Sequence, residues 1–122
     1  MAVVNGFGAD SGRHTLAVQD AVSEGRHTLV LTGELDVAFA SDLEQMVTRL
    51  CASGVRGVAL DLSKLTFVDS TGIRAILRAQ AVCREHGYDF LIEPGRESVQ
   101  RVFELTGLLD VLPFAHSDGA QA

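Results

Sequence analysis

Several residue types are scarce in this chain. It has no tryptophan, one tyrosine, two prolines and two cysteines among its 122 residues. Cys51 and Cys83 have no Cys-x-x-Cys motif or Cys/His cluster beside them, and each falls at an apolar position of a predicted helix. This pattern favours two buried free thiols in a reducing compartment over a disulfide framework, a metal site or a redox site.

Long hydrophobic runs are also missing. No apolar stretch approaches the roughly 20 residues of a membrane-spanning helix. The N-terminus has no charged region followed by an apolar stretch of signal-peptide length. The sequence therefore predicts a cytoplasmic protein without membrane insertion.

Basic charge is low as well. Lysine and arginine total 10 residues against 16 aspartates and glutamates, which gives a net charge of -6. Without a basic block the chain lacks the electrostatic footprint of a nucleic-acid-binding protein, so nucleic acid is not expected as a direct partner. What the chain does have is apolar surface, because 47% of its residues are hydrophobic. At this length that is enough to close one core without disulfides or metal.

The ends of the chain differ in pattern from its middle. Residues 1–12 and 115–122 are rich in small and polar residues and have no strand or helical periodicity, so they are predicted to be flexible tails. Residues 13–114 are predicted to form one domain. Its first two strands are predicted at residues 14–18 and 27–31, paired as a hairpin.

A capping box marks the first predicted helix. The Ser41 hydroxyl can accept a backbone N–H three residues on while Glu44 reaches back to the cap, so the helix is predicted to start at Ser41. Apolar residues then recur with helical spacing. The helix is predicted to stop at Gly54, because glycine is common just beyond a helix C-terminus. The apolar stripe predicts a helix packed on the core.

The rest of the pattern alternates strands and helices. A nearly continuous apolar stretch at residues 58–62 is typical of a strand covered on both faces, and a helix is predicted over residues 71–86. A strand at residues 90–92, a third helix ending at Gly107, and an edge strand or packing tail at residues 111–114 follow. The predicted fold class is α/β, a small mixed β-sheet of four to five strands with helices packed on it.

One segment carries candidate chemistry. In residues 60–73 a buried strand leads through a short loop into a helix, which places Asp69, Ser70 and Thr71 at the helix N-terminus. Unpaired backbone N–H groups and the helix dipole favour anions there. From local chemistry alone, the favoured interpretation is an ordinary N-cap at Asp69 or Ser70.

Three short motifs in this chain resemble the STAS family of anti-sigma-factor antagonists. The Asp-Ser-Thr-Gly motif of residues 69–72, which follows an apolar strand, is similar to the phosphoacceptor segment of that family. The LTGELD segment of residues 31–36 is similar to its other signature, and the LTGL segment of residues 105–108 resembles its C-terminal helix end. The motifs occur in the order and spacing of the family, and the similarity runs from about residue 14 to residue 114.

The resemblance implies a STAS fold and a regulatory function. In its unphosphorylated form the protein would bind an anti-sigma factor and so release a sigma factor. The anti-sigma factor, itself a serine kinase, would phosphorylate Ser70 and end the binding, and a phosphatase would remove the phosphate. The partner-binding site would consist of Asp36, Asp69, Ser70, Thr71 and Gly72. Thr71 remains a second possible acceptor, and Asp36 judged without the resemblance is an exposed acid at a strand end.

Other functions lack their motifs in this sequence. Ser70 has no Gly-x-Ser-x-Gly setting, and none of the four histidines lies near it in sequence, which argues against a serine hydrolase. Neither a P-loop, a dinucleotide fingerprint nor the spacing of a helical zinc site occurs. We therefore expect no enzymatic activity, no cofactor and no metal. Two alternatives stay open: a STAS subunit that assembles with a membrane transporter or a larger signalling complex, and a small α/β enzyme or nucleotide-binding protein.

Overall fold

The fold is a mixed β-sheet with helices packed on it, in a computed structural model that describes residues 2–4 and 15–115. Within these residues five strands form one sheet in the order β1-β2-β3-β4-β5. The strands are β1 (Ala2–Val4), β2 (Leu16–Ser23), β3 (Arg26–Leu35), β4 (Gly57–Val68) and β5 (Asp89–Glu93). The helices of this part of the chain are α1 (Ala40–Ala52), α2 (Ser70–Glu85) and α3 (Glu97–Leu105). The predicted α/β class is confirmed.

The sheet combines a hairpin with two parallel crossovers. β2 pairs antiparallel with β3, and the turn between Ser23 and Arg26 is the predicted hairpin turn. β3 pairs parallel with β4, and β4 pairs parallel with β5, so α1 and α2 are the crossover connections. Buried side chains of the strands and helices form one core, whose largest fully buried members include Leu29, Leu31, Leu60, Leu62, Ile76 and Phe103.

Residues 2–4, which the sequence assigns to a flexible tail, form β1 instead. Their backbone pairs antiparallel with Val18, Gln19 and Asp20 of β2. The run Ala-Val-Val contains two β-branched residues that favour a strand, and it covers an otherwise open sheet edge. Ala115, the first residue of the predicted C-terminal tail, donates its backbone N–H to the carbonyl oxygen of Ile92 at 2.7 Å. Residues 1, 5–14 and 116–122 lie outside the described residues, and the remainder of both predicted tails falls among them.

β4 is longer than the sequence predicts. The prediction covered residues 58–62, whereas β4 continues to Val68 with two register shifts against β3. These irregularities add residues on the β4 side and locally change which side chains face the core. Ser63 and Lys64 are both exposed there, and buried residues recur only at Leu65 and Val68, so this half of the strand lacks regular strand alternation although its backbone pairs with β3.

The predicted capping box at Ser41 is wrong. α1 begins at Ala40, its N-cap is Phe39, and no side chain caps the first turn. The reason lies upstream, because the carbonyl oxygen of Asp36 accepts from the backbone N–H groups of both Phe39 and Ala40, at 3.0 and 2.9 Å. This turn winds the chain before Ser41 is reached. The Ser41 hydroxyl instead accepts from the Gln45 side chain at 3.4 Å.

The remaining elements lie close to their predicted positions. α2 ends before Gly87, whose φ of 74° is the left-handed conformation expected just beyond a helix C-terminus. Cys51 and Cys83 are both buried and free, as predicted. At the C-terminal side, Phe114 pairs with Ile92 of β5. Within residues 2–4 and 15–115, none of the helices is both long and apolar enough to cross a membrane.

Candidate functional site

The candidate site lies where two neighbouring parallel strands end. Leu35 is the last residue of β3, Val68 is the last residue of β4, and these two residues pair in the sheet. The backbone N–H of Asp69 donates to the carbonyl oxygen of Leu35 at 3.3 Å. Because carboxyl ends of parallel strands meet at one edge, Asp36 and the start of α2 are neighbours in space. The structure thus brings together the two segments that the sequence motifs single out.

Asp69 is the N-cap of α2. Its backbone is extended, with φ -111° and ψ -175°, and its carboxylate accepts from the backbone N–H of Gly72 at 2.9 Å. The carbonyl oxygen of Asp69 accepts from the backbone N–H of Ile73 at 2.9 Å. The ordinary capping role considered for this segment therefore belongs to Asp69, and Ser70 is free of it.

Ser70 and Thr71 differ in accessibility. Ser70, the first residue of α2, is exposed, whereas Thr71 is half-buried. The Ser70 hydroxyl makes no hydrogen bond to another residue of the described ranges. The first turn of α2 contains no acidic side chain, and the acidic group at this helix end is the N-cap Asp69. Ser70 therefore presents an accessible hydroxyl at a position that tolerates an anion.

Asp36 is a buried residue and not the exposed strand-end acid that local reasoning suggests. It is only 6% exposed. Its carboxylate accepts from the backbone N–H of Ala38 at 3.0 Å, while its carbonyl oxygen holds the start of α1. A short carboxylate that bonds the backbone two residues on forms an Asx-turn. Asp36 thus fixes the shape of the turn between β3 and α1.

Gly72, predicted to belong to the partner-binding surface, is buried beneath it. A Cβ atom at this position would lie 2.5 Å from the carbonyl oxygen of Leu35 and 2.9 Å from side-chain carbons of Leu35 and Val68. Only glycine allows the first turn of α2 to approach the end of β3 so closely. Its role in the structure is to set the position of Ser70.

Two exposed apolar side chains at this edge were not singled out from the sequence. Val37, which follows Asp36, is 71% exposed, and Phe67, near the end of β4, is 45% exposed. Neither shows helical or strand periodicity that would mark it, because Val37 lies in a turn and Phe67 in the irregular half of β4. Only their placement beside the Asp-Ser-Thr-Gly motif gives a signal. They add exposed apolar surface to the segments around the ends of β3 and β4.

The histidines of the described ranges lie away from this edge. His27 pairs with Val58 near the start of β4, and its Nδ1 atom lies 2.9 Å from a carboxylate oxygen of Asp20. His86 is the C-cap of α2, at the opposite end of that helix from Ser70. Neither imidazole is within reach of the Ser70 hydroxyl. The other two histidines, at positions 14 and 116, fall outside the described residues.

Comparison with known proteins agrees with this arrangement. The profile of the STAS domain family matches residues 17–120. BtrV of Bordetella bronchiseptica, assigned as an anti-sigma factor antagonist, is 30% identical over 99 residues, which cover 81% of this chain and 85% of BtrV. The anti-sigma-B factor antagonist of Staphylococcus aureus is 25% identical over 97 residues, with 80% and 90% of the two chains covered.

Solved structures show the same architecture. SpoIIAA, an anti-sigma factor antagonist, superposes in its unphosphorylated form with a TM-score of 0.70 and 21% identity, covering 86% of this chain and 93% of SpoIIAA. The phosphorylated form of SpoIIAA from Bacillus gives a TM-score of 0.64 with 20% identity over 86% and 96% of the two chains. The family profile spans nearly the whole domain, the 30% identity to BtrV extends over most of it, and the fold agrees. The chain is therefore a member of the STAS domain family, as its three motifs indicate.

Proposed function

We propose that this protein is an anti-sigma factor antagonist controlled by phosphorylation of Ser70. In the unphosphorylated state it binds an anti-sigma factor in the cytoplasm through the edge that carries Asp36, Asp69, Ser70 and Thr71, and a sigma factor is released. The anti-sigma factor acts as the serine kinase that modifies Ser70, and a phosphatase restores the hydroxyl. The protein itself is a binding module without turnover.

The observation that carries this proposal is the Ser70 hydroxyl. It is exposed, unpaired within the described residues and located at a helix N-terminus, while the neighbouring Asp69 supplies the cap. A phosphate adds a charge of about -1.5 to -2 at neutral pH. At this position the fold accommodates that charge, whereas a partner packed against the same edge would have to bury it unpaired.

The exposed apolar side chains give the edge its binding character. Val37, two residues after the end of β3, and Phe67, one residue before the end of β4, expose large parts of their side chains. Apolar residues grouped around a polar centre are typical of protein contact surfaces. Asp36 and Gly72 affect partner binding indirectly. Asp36 fixes the turn that contains Val37, and Gly72 allows the first turn of α2 to pack closely against the end of β3.

The named relatives support an antagonist over the alternative of a transporter-associated subunit. BtrV and the staphylococcal protein carry antagonist names, and both alignments cover most of their own chains. SpoIIAA has been solved in phosphorylated and unphosphorylated forms, so the same fold accepts both states in that protein. No observation at the site favours assembly with a membrane protein.

The test uses the full chain with each anti-sigma factor kinase encoded by the same genome. Incubation with ATP followed by tandem mass spectrometry should place a phosphate on Ser70, and Ser70→Ala should remain unmodified while still binding the kinase. Thr71→Val is the matched control and should be phosphorylated as the parent is. Phosphate on Thr71 or Ser63 with Ser70 unmodified, or no binding to any of these kinases, would refute the proposal.

Binding affinity provides a second measurement. Ser70→Glu should weaken the complex at least about tenfold in calorimetry, because the partner buries an unpaired carboxylate. Its thermal midpoint should stay close to that of the parent, since an acidic residue in the first turn of a helix is tolerated. A Ser70→Glu protein that binds as tightly as the parent would contradict the switch.

A further inference from the structure

The phosphate proposed for Ser70 would enter an acidic neighbourhood. Asp69 precedes it in the chain, and Asp36 directly follows the end of β3, where the Leu35 carbonyl oxygen accepts from the backbone N–H of Asp69. Like charges close together raise the free energy of the charged state. The helix dipole supplies only about half an elementary charge, so a cation near Ser70 would stabilise a dianionic phosphate further.

Arg74 is placed to be that cation. It lies four residues after Ser70 on α2, and side chains at i and i+4 of a helix are neighbours, about 5–6 Å apart at Cβ. Arg74 is exposed and forms no ion pair with the residues of the described ranges. A guanidinium group can donate two parallel hydrogen bonds to phosphate oxygens. Arg74 is therefore near Ser70 on the helix surface and has no ion-pair partner among the described residues.

Arg78 provides the contrast on the same helix. It lies four residues beyond Arg74, and its Nε atom is 3.5 Å from a carboxylate oxygen of Glu44 on α1. The row Ser70, Arg74, Arg78 thus holds two like charges at i and i+4, which repel each other. Glu44 neutralises the second arginine of the row, and nothing in the described part of the chain neutralises the first.

We propose that Arg74 binds the phosphate of phosphorylated Ser70 within the same molecule and so stabilises the phosphorylated form. The inference rests on the proposed function, because it assigns a role to that modification. The ion pair replaces the Arg74–Arg78 repulsion with an attraction and compensates the carboxylates around Ser70. Arg74 is a positioning residue for the phosphate, which it holds on the surface of α2.

The test installs phosphoserine at position 70 of the full chain by genetic incorporation, so that no kinase is involved. The parent phosphoprotein is compared with Arg74→Gln and with Arg78→Gln as the matched control. Titration followed by ³¹P NMR measures the second pKa of the phosphate, about 6 for phosphoserine. We expect that pKa to be higher by about 0.5 unit in Arg74→Gln than in the parent, because a nearby cation favours the dianion. Arg78→Gln should stay within about 0.1 unit of the parent.

Thermal stability gives an independent readout of the same contact. We compare the thermal midpoint of each protein with and without the phosphate at position 70. The midpoint of phosphorylated Arg74→Gln, relative to its own unphosphorylated form, should be lower by about 2 °C or more than the same difference in the parent. Arg74→Lys, which retains the charge but not the bidentate geometry, should recover part of both effects. Equal pKa values and midpoint changes in Arg74→Gln and Arg78→Gln would overturn the proposal. The absence of a kinase for Ser70 would count against the proposed function without altering these measurements.

Discussion

Cys51 and Cys83 face each other across the contact between α1 and α2, with their sulfur atoms 3.6 Å apart and both side chains buried. Neither thiol is accessible to a bulky reagent in the folded protein. We expect a maleimide to label both cysteines only after denaturation, as followed by intact mass. Exposing a cysteine by the substitution Ala52→Cys gives the positive control for the reagent, and rapid native labelling of Cys51 or Cys83 would disprove the helix packing.

The same pair makes stability depend on pH at the alkaline side. Burial raises the pKa of Cys83 from 9.0 to about 12, and the hydrogen bond and charge of Cys51 add to the effect. The folded protein then retains a proton that the unfolded chain loses above about pH 9. The contribution of this thiol to the free energy of unfolding should therefore be constant below about pH 9 and fall by up to about 1.4 kcal/mol per pH unit towards pH 12.

Urea titrations at several pH values from 8 to 10.5 measure this decrease. Cys83→Ala is the reference because it removes the titrating thiol while keeping the single lysine and the single tyrosine. The parent should lose stability faster than the variant above pH 9. Parallel curves for the two proteins would show that Cys83 ionises in the folded state as readily as in the unfolded chain.

Asp36 should matter to stability more than an ordinary surface acid. Asp36→Ala removes the acceptor of the Ala38 backbone N–H and leaves a partly buried donor without its partner, which costs about 1–2 kcal/mol. Asp36→Asn keeps a side-chain oxygen and should restore much of the loss. Asp110→Ala, at an exposed position, is the control and should change the free energy of unfolding by less than about 0.5 kcal/mol in urea titrations. If Asp36→Ala and Asp110→Ala lowered the free energy of unfolding equally, the hydrogen bond of Asp36 in the turn would not contribute to stability.

Gly72 should tolerate substitution poorly for a steric reason. Gly72→Ala places a Cβ 2.5 Å from the Leu35 carbonyl oxygen, so α2 or β3 must shift, at a cost of about 1–3 kcal/mol. Gly87→Ala is the comparison, since a Cβ there meets nothing within 4 Å and only the positive φ opposes it, at about 1–2 kcal/mol. Urea denaturation should rank Gly72→Ala as the more damaging. A Gly72→Ala protein more stable than Gly87→Ala would contradict the close approach of α2 to the carbonyl oxygen of Leu35.

The apolar surface beside Ser70 should affect binding and not folding. Val37→Ser removes an exposed side chain and should lower affinity for the anti-sigma factor about tenfold, because the lost apolar contact is worth about 1.5 kcal/mol. Val111→Ser changes a side chain that is 61% exposed but lies after α3, and it should leave affinity unchanged. Calorimetric titration of the kinase with each variant distinguishes the two. Equal affinities for the parent and Val37→Ser would remove Val37 from the contact.

The parts of the fold that the sequence predicts are those with strong local signals. α2 has a clear start and end because Asp69 caps it and Gly87 ends it, and the buried half of β4 is continuously apolar. The irregular half of β4 was not predicted because its pairing with β3 depends on long-range contacts and its buried residues do not alternate as in a regular strand. The prediction of a cap at Ser41 was wrong because the turn at Asp36 starts the helix at Ala40. The local capping pattern around Ser41 does not include the residues that form this turn.

For the candidate site, the motif resemblance identifies the right edge of the sheet but not the roles within it. Asp36 and Gly72 were both assigned to partner contact, and the structure buries both. Burial at a strand end depends on how closely the two crossovers approach, which no window of sequence contains. Val37 and Phe67 escaped notice because an isolated exposed apolar residue has no periodic signature.

The chain that follows α3 has a consequence for any truncated form of the protein. The backbone N–H of Ile92 donates to the carbonyl oxygen of Pro113 at 3.0 Å, and the carbonyl oxygen of Ile92 accepts from the backbone N–H of Ala115 at 2.7 Å. Residues 113–115 thereby occupy the outer backbone groups at the middle of β5. A protein shortened before Pro113 would leave these groups open to pair with another molecule, so it should self-associate more readily than the full chain.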